Sequence, residues 1–175
     1  MEIKDFTKNI LSDIRVDLTE EFDRNFERKG FFTNKWRGTN LPNRRGSLMV
    51  RSGNLRRSIR SKQTSNEINW SSSLPYASIN NEGGEIVVTD KMKRFFWAMY
   101  YKASGAAKGK GERAQRLSAE AQQWKNLALQ KVGAKMKIEK RQFIGDHPIV
   151  RQRIEEIVDL NMQEFKNHIY NKLKK

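Results

Sequence analysis

Cysteine is absent from the 175 residues, which removes disulfides, thiolate metal sites and a cysteine nucleophile together. There are only two histidines, His147 and His168, and they do not form the paired spacing of a zinc-binding helix. No serine stands in a Gly-x-Ser-x-Gly elbow. No apolar run approaches membrane-spanning length, and Met1-Glu2-Ile3-Lys4-Asp5-Phe6 lacks the apolar region of a signal peptide. These absences point away from an enzyme, a cofactor, a metal centre or a membrane protein, and toward a soluble chain made in a cytoplasm.

Acid is missing from one long stretch. Residues 28–66 hold 11 Lys or Arg and no Asp or Glu. The chain has 35 basic and 20 acidic residues, net +15, so the rest carries 24 against 20, net +4. A concentrated positive field attracts polyanions or an acidic protein surface. Arg44, Arg45, Arg51, Arg56, Arg57, Arg60 and Lys62 are the candidates to face such a partner.

Hydrophobic residues make up 37% of the chain and charged residues 31%, which is polar for a globular protein. Nine Phe, four Trp and four Tyr still supply a core, and one domain spanning 1–175 is expected. Ile3, Phe6, Ile10, Ile14, Leu18, Phe22 and Phe26 recur at helical steps and predict a helix over 3–29 with Gly30 as its stop. Asp13, Asp17, Glu20 and Glu21 lie off that stripe and read as a solvated face. Residues 31–47, broken by Gly38, Pro42 and Gly46, read as a basic loop that Trp36 and Leu41 would pin.

Residues 48–88 read as a β-meander of three or four antiparallel strands, with one short helical turn near 47–55. The strand candidates are 59–63, 67–72, 77–80 and 84–88. Ile68 and Trp70 alternate with Asn69 and Ser71, and Asn66 stands where a hairpin turn is expected. Residues 90–135 read as an additional helical arm capped by Thr89 and interrupted by a flexible segment at 104–111. Gly105, Gly109, Lys110 and Gly111 miss the spacing of a phosphate-binding loop. Residues 149–173 carry a second long stripe, Val150, Ile154, Ile157, Asn161, Phe165, Ile169 and Leu173. The expected fold is α+β, a small antiparallel sheet packed by long N- and C-terminal helices, with the arm added. The aromatic run Phe95, Phe96, Trp97, Tyr100 and Tyr101 exceeds what a small core requires and is the candidate oligomer interface.

The order of several phrases is similar to that in the phage virion-morphogenesis and tail-completion proteins, neck components of tailed bacteriophages. The phrases are an N-terminal helix, Trp36 in a loop, Leu48, Ser52-Gly53-Asn54-Leu55-Arg56-Arg57-Ser58-Ile59, Tyr76-Ala77-Ser78-Ile79-Asn80-Asn81-Glu82-Gly83-Gly84, and Arg141-Gln142-Phe143-Ile144-Gly145 before a last helix. The family often has Thr in place of Ser52 and His in place of Asn80, and the segment 91–135 is longer than a minimal member needs. The resemblance implies a non-enzymatic virion protein assembled in the host cytoplasm. It implies a homo-oligomeric ring, commonly six-fold, that joins the tail to the head connector, meets other neck and tail proteins and surrounds the DNA channel. The competing reading is a sequence-independent nucleic-acid-binding protein, for which the basic window with Trp36 and Trp70 speaks. No helix-turn-helix, zinc-finger or RNA-recognition signature accompanies that window.

Overall fold

The computed structural model describes residues 3–38, 48–107 and 111–174. It is an α+β fold with long helices at both ends. Helix α1 spans Ile3–Arg28 and buries Ile14, Leu18, Phe22 and Phe26, the stripe that its spacing announces. Burial of each such side chain stabilises the fold by about 1.5–3 kcal/mol. The helix ends where Lys29 turns left-handed (φ 55°), and a tight hairpin follows, β1 (Gly30–Phe31) on β2 (Asn34–Lys35). A Cβ on Gly30 would lie 2.7 Å from the Asn34 carbonyl oxygen, so glycine is required there by close approach.

Helix α6 (Pro148–Leu173) runs antiparallel to α1. Arg153 near its start donates to Asp17 at 2.7 Å, and Phe165 further along stacks on Phe6 at 4.5 Å between centroids. The stripe of α6 outlasts this contact: Ile169 and Leu173 are exposed. His147 caps the helix, its Nδ1 accepting from the Ile149 N–H at 3.2 Å, and its ring stacks on Phe32.

Between the terminal helices lie α2 (Asn54–Ser58), the hairpin β3 (Ile59–Gln63) with β4 (Ile68–Ser72), α3 (Ala77–Glu82) and β5 (Gly84–Val87). The hairpin register pairs Ser61 with Trp70. Its inner face lies on α1, where Trp70 donates to the Thr19 hydroxyl at 3.0 Å and meets the Phe22 ring edge-on. Helices α4 (Asp90–Ala106) and α5 (Glu112–Ala128) form a helical hairpin. Phe96 and Ala103 of α4 are buried with Ala121, Trp124 and Ala128 of α5. Thr89 caps α4 as expected, accepting from the Met92 N–H at 3.3 Å. Strand β6 (Lys135–Ile138) then leads into residues 141–144.

Residues 141–144 join no strand, and side chains from elsewhere supply most of their hydrogen bonds. Asn25 of α1 donates to the Phe143 carbonyl at 3.2 Å while its Oδ1 accepts from the Phe32 N–H at 3.0 Å. The Asn81 Oδ1 accepts from the N–H groups of Phe143 and Ile144 at 2.9 and 3.1 Å, and its amide donates back to the Ile144 carbonyl at 3.1 Å. Trp36 Nε1 donates to the Gln142 carbonyl at 2.6 Å, and the Arg141 N–H reaches the Asn80 carbonyl at 2.8 Å. Around this seam Phe26, Trp36, Leu55, Ala77 and Phe143 form one buried cluster.

Four expectations change. The continuous meander over 48–88 does not form; among the described residues there are three separate two-stranded sheets. Residues 77–80, expected as a strand, are the start of α3, because helical geometry is what brings Asn81 onto Phe143 and Ile144. Gly83 and Gly84, at φ 72° and 138°, then turn the chain away from the β3–β4 hairpin, and β5 pairs with the distant β6. Residues 104–106, expected in a flexible break, extend α4, with Ala103 buried on α5 and the Ser104 hydroxyl donating to the Tyr101 carbonyl. Glu21, expected on a solvated face, is buried among Arg24 (2.7 Å), Arg28 (2.9 Å) and Arg153 (3.7 Å).

Asn25→Ala is expected to cost about 2–4 kcal/mol, because it leaves the Phe143 carbonyl and the Phe32 N–H buried and unpaired. Asn69→Ala, exposed on β4, is expected to stay within about 0.5 kcal/mol. Urea unfolding of the two variants checks this, and an unchanged midpoint for Asn25→Ala would contradict the role given to that side chain.

Candidate functional site: a polyanion-facing surface

The basic window separates into cations used by the fold and cations left to solvent. Arg56 belongs to the first group. It sits on α2 facing α1, donates through Nε to Asp23 at 2.6 Å and through Nη2 to Asp23 and to Glu27, the latter at 2.7 Å. Hydrogen bonds first to Asp23 and then to Glu27 hold its guanidinium above the ordinary arginine range, so it is charged at every accessible pH and neutralised by its partners. Arg56, expected to face a partner, is instead the clamp that fixes α2 to α1. Arg28 is likewise committed, to Glu21.

Arg57 serves local structure and, among the described residues, meets no acid. It donates to the Ser52 carbonyl at 2.7 Å and to the Asn54 Oδ1 at 3.0 Å, folding over Gly53. Gly53 stands at φ 71°, and a Cβ there would lie 2.6 Å from the Arg57 guanidinium. The phrase Ser52-Gly53-Asn54-Leu55-Arg56-Arg57 therefore reads as turn, helix start and two arginines with different duties. Arg51 is exposed at the rim of a groove of about 420 Å³, with Met49, Tyr76 and Arg141 among its lining residues.

Arg60 and Lys62 occupy the outward face of β3, since Ile59, Ser61 and Gln63 take the inward positions. Opposite them on β4 stand Asn69 and Ser71. The Arg60 guanidinium donates to the carbonyls of Arg57 and Ile59, at 2.7 and 3.1 Å, and among the described residues neither Arg60 nor Lys62 has an ion pair. A hairpin face with two cations, an amide and a hydroxyl suits contact with a phosphate backbone or an acidic protein. Arg44 and Arg45 lie outside the described residues.

The aromatic run also divides. Phe96 is buried against Trp124 within the α4–α5 hairpin, so this residue is core and not an interface. Phe95 and Tyr101 are 54% and 65% exposed. Trp97, half-buried, meets Tyr100 edge-on at 5.6 Å and stacks on Tyr101 at 6.0 Å. These three rings make one aromatic ledge along α4.

A further feature escaped the reading of the sequence. Residues 90–137 hold 12 Lys or Arg against three Asp or Glu, so the arm is itself strongly basic. The surplus is masked in a whole-chain count because residues 1–27 carry eight acids against four bases. A running charge count would have found it. Most of the α1 acids are consumed internally, by Arg24, Arg28, Arg56 and Arg153.

No protein-family model matches the chain, and comparison with characterised proteins and with solved structures finds no significant match.

Arg60→Ala with Lys62→Ala is expected to leave the unfolding midpoint nearly unchanged and, if this face meets duplex DNA, to lower the affinity and reduce the slope of log affinity against log salt by about 2. Arg56→Ala is expected to do the reverse, destabilising the fold by about 1–3 kcal/mol through the loss of a clamp to two carboxylates with the salt slope retained. Salt-dependent binding isotherms alongside thermal melts distinguish the two behaviours.

Proposed function

We propose that this chain is a structural virion protein of a tailed phage, a tail-completion or neck subunit that forms a ring between tail and head connector. The observation that carries the reading is the convergence on residues 141–144. The phrases that resemble the family lie far apart in sequence, yet their residues meet there: Trp36 on the Gln142 carbonyl, Asn80 and Asn81 on residues 141–144, and Leu55 beside Phe143. Their order in the chain thus corresponds to one structural tie, as expected if the phrases descend from one fold.

In this reading the rings repeat a single head-to-tail contact that closes when its rotation permits, commonly with six copies. The outward cations Arg60 and Lys62, with Arg51, face either the DNA passing through the ring or an acidic surface of the adjoining neck protein. DNA contact of this kind is independent of sequence and weakens as salt rises. Contact with a neighbouring ring uses the same charges as electrostatic complementarity. No cofactor enters the function, and other neck and tail proteins are the partners.

The second reading, a stand-alone nucleic-acid binder, draws on the same cationic hairpin face. Native mass by light scattering, at low and moderate salt and with or without duplex DNA, separates them. A discrete closed oligomer formed without DNA, or a monomer that assembles only with partner phage proteins, is the expected result. A monomer that binds any duplex, with affinity falling steeply as salt rises, would replace the neck reading with the nucleic-acid one.

A further inference from the structure

Acids in this protein are mostly consumed by its own arginines and lysines. Asp17, Glu20, Glu21, Asp23 and Glu27 pair from α1, Asp146 pairs with Arg151, Glu139 with Arg37, Glu85 with Lys135 and Glu112 with Arg116. The outer face of α6 is different. Residues 154–165 contain Glu155, Glu156, Asp159 and Glu164 and no Lys or Arg, and helical spacing puts Glu155, Glu156 and Asp159 on its outer side. All four are exposed, and among the described residues none of them is in an ion pair. Leu160 and Met162, 58% and 43% exposed, lie in the same stretch. An acidic patch left open on a chain of net +15 is where a basic surface would settle.

The arm provides a surface of the opposite kind. Lys91, Arg94, Ala98, Tyr101 and Lys102 are all exposed and fall on one side of α4 by helical spacing. None of the three cations has an ion pair among the described residues. Ala98 leaves a shallow place between them where another helix can approach, and Tyr101 offers a broad ring beside it. At 1.5 Å per residue the cations span about 16 Å, and the acids that share the outer side of α6, Glu155, Glu156 and Asp159, cover about 6 Å of it. The two surfaces oppose in charge, and each carries apolar surface.

We propose that the outer face of α4 docks on the acidic face of α6 in a second copy of this chain. The surfaces differ, so the contact is head-to-tail: each copy gives its arm to one neighbour and receives an arm from the other. It rests on the reading of the chain as a ring subunit and names the contact that repeats around the ring. The apolar residues supply burial, and the charges set partner and register.

Charge reversal tests it. One variant carries Lys91→Glu, Arg94→Glu and Lys102→Glu; another carries Glu155→Lys and Asp159→Lys. Among the described residues none of these side chains makes a hydrogen bond or ion pair, so both variants should melt as the unsubstituted chain does. Sedimentation velocity at low salt should show each alone losing self-association by about a hundredfold or more, since like charges then face each other. An equimolar mixture should regain it, because the reversed arm meets the reversed α6 and the native arm meets the native one. Variants that assemble as the unsubstituted chain does, or a mixture that fails to recover, would overturn this contact while leaving the ring reading in place. An unsubstituted chain that stays monomeric at low salt and high concentration would overturn the contact and remove unaided self-association from the ring reading as well.

Discussion

Asn25 and Asn81 reach one short stretch of backbone, residues 141–144, from two elements that are far apart in the chain. A buried segment without a strand partner must find hydrogen bonds elsewhere or leave its backbone N–H and C=O groups unpaired. Here amide side chains and an indole stand in for the missing strand. That substitution couples α1, the loop at Trp36, α3 and the lead into α6, since moving any one of them would leave a backbone group unpaired. Arg56 adds a second tie by holding α2 to α1 through Asp23 and Glu27. The small paired strands are secondary to these ties, because two-stranded sheets are marginal by themselves.

The distribution of charge follows from the same economy of partners. Acids on α1 face the arginines of α1, α2 and α6; among the described residues, cations without an ion pair stand on the β3 face and on α4, and acids without one on the outside of α6. A net charge of +15 therefore describes the molecule poorly. Its organisation is polar in the geometric sense, with surfaces of both signs available to neighbours. The proposed ring contact and the proposed polyanion contact each use one of these surfaces.

Periodicity made the long helices legible. Phe22 and Phe26 on α1, and Val150 and Ile154 on α6, recur at spacings that only a helix brings to one side. Alternation at Ile68 and Trp70 marked the hairpin equally well. The failures were tertiary. Ala77-Ser78-Ile79-Asn80 alternates as a strand would, and nothing local shows that Asn81 is needed on a segment more than sixty residues further along. The role of Arg56 was hidden for the same reason: in sequence it is one arginine of a pair, and only the position of Asp23 and Glu27 on α1 sets it apart from Arg57. Phe96 and Phe95 are adjacent and alike in type, yet the 100° step of the helix buries one and exposes the other.

The neck reading draws on a tie built from dispersed short phrases, on a cationic hairpin and on the opposed charges of α4 and α6. The most direct measurement is electron microscopy of phage particles assembled without this chain. The account predicts DNA-filled heads and finished tails that stay apart, with joined particles restored when the protein is supplied. Joined, infectious particles formed in its absence would contradict it.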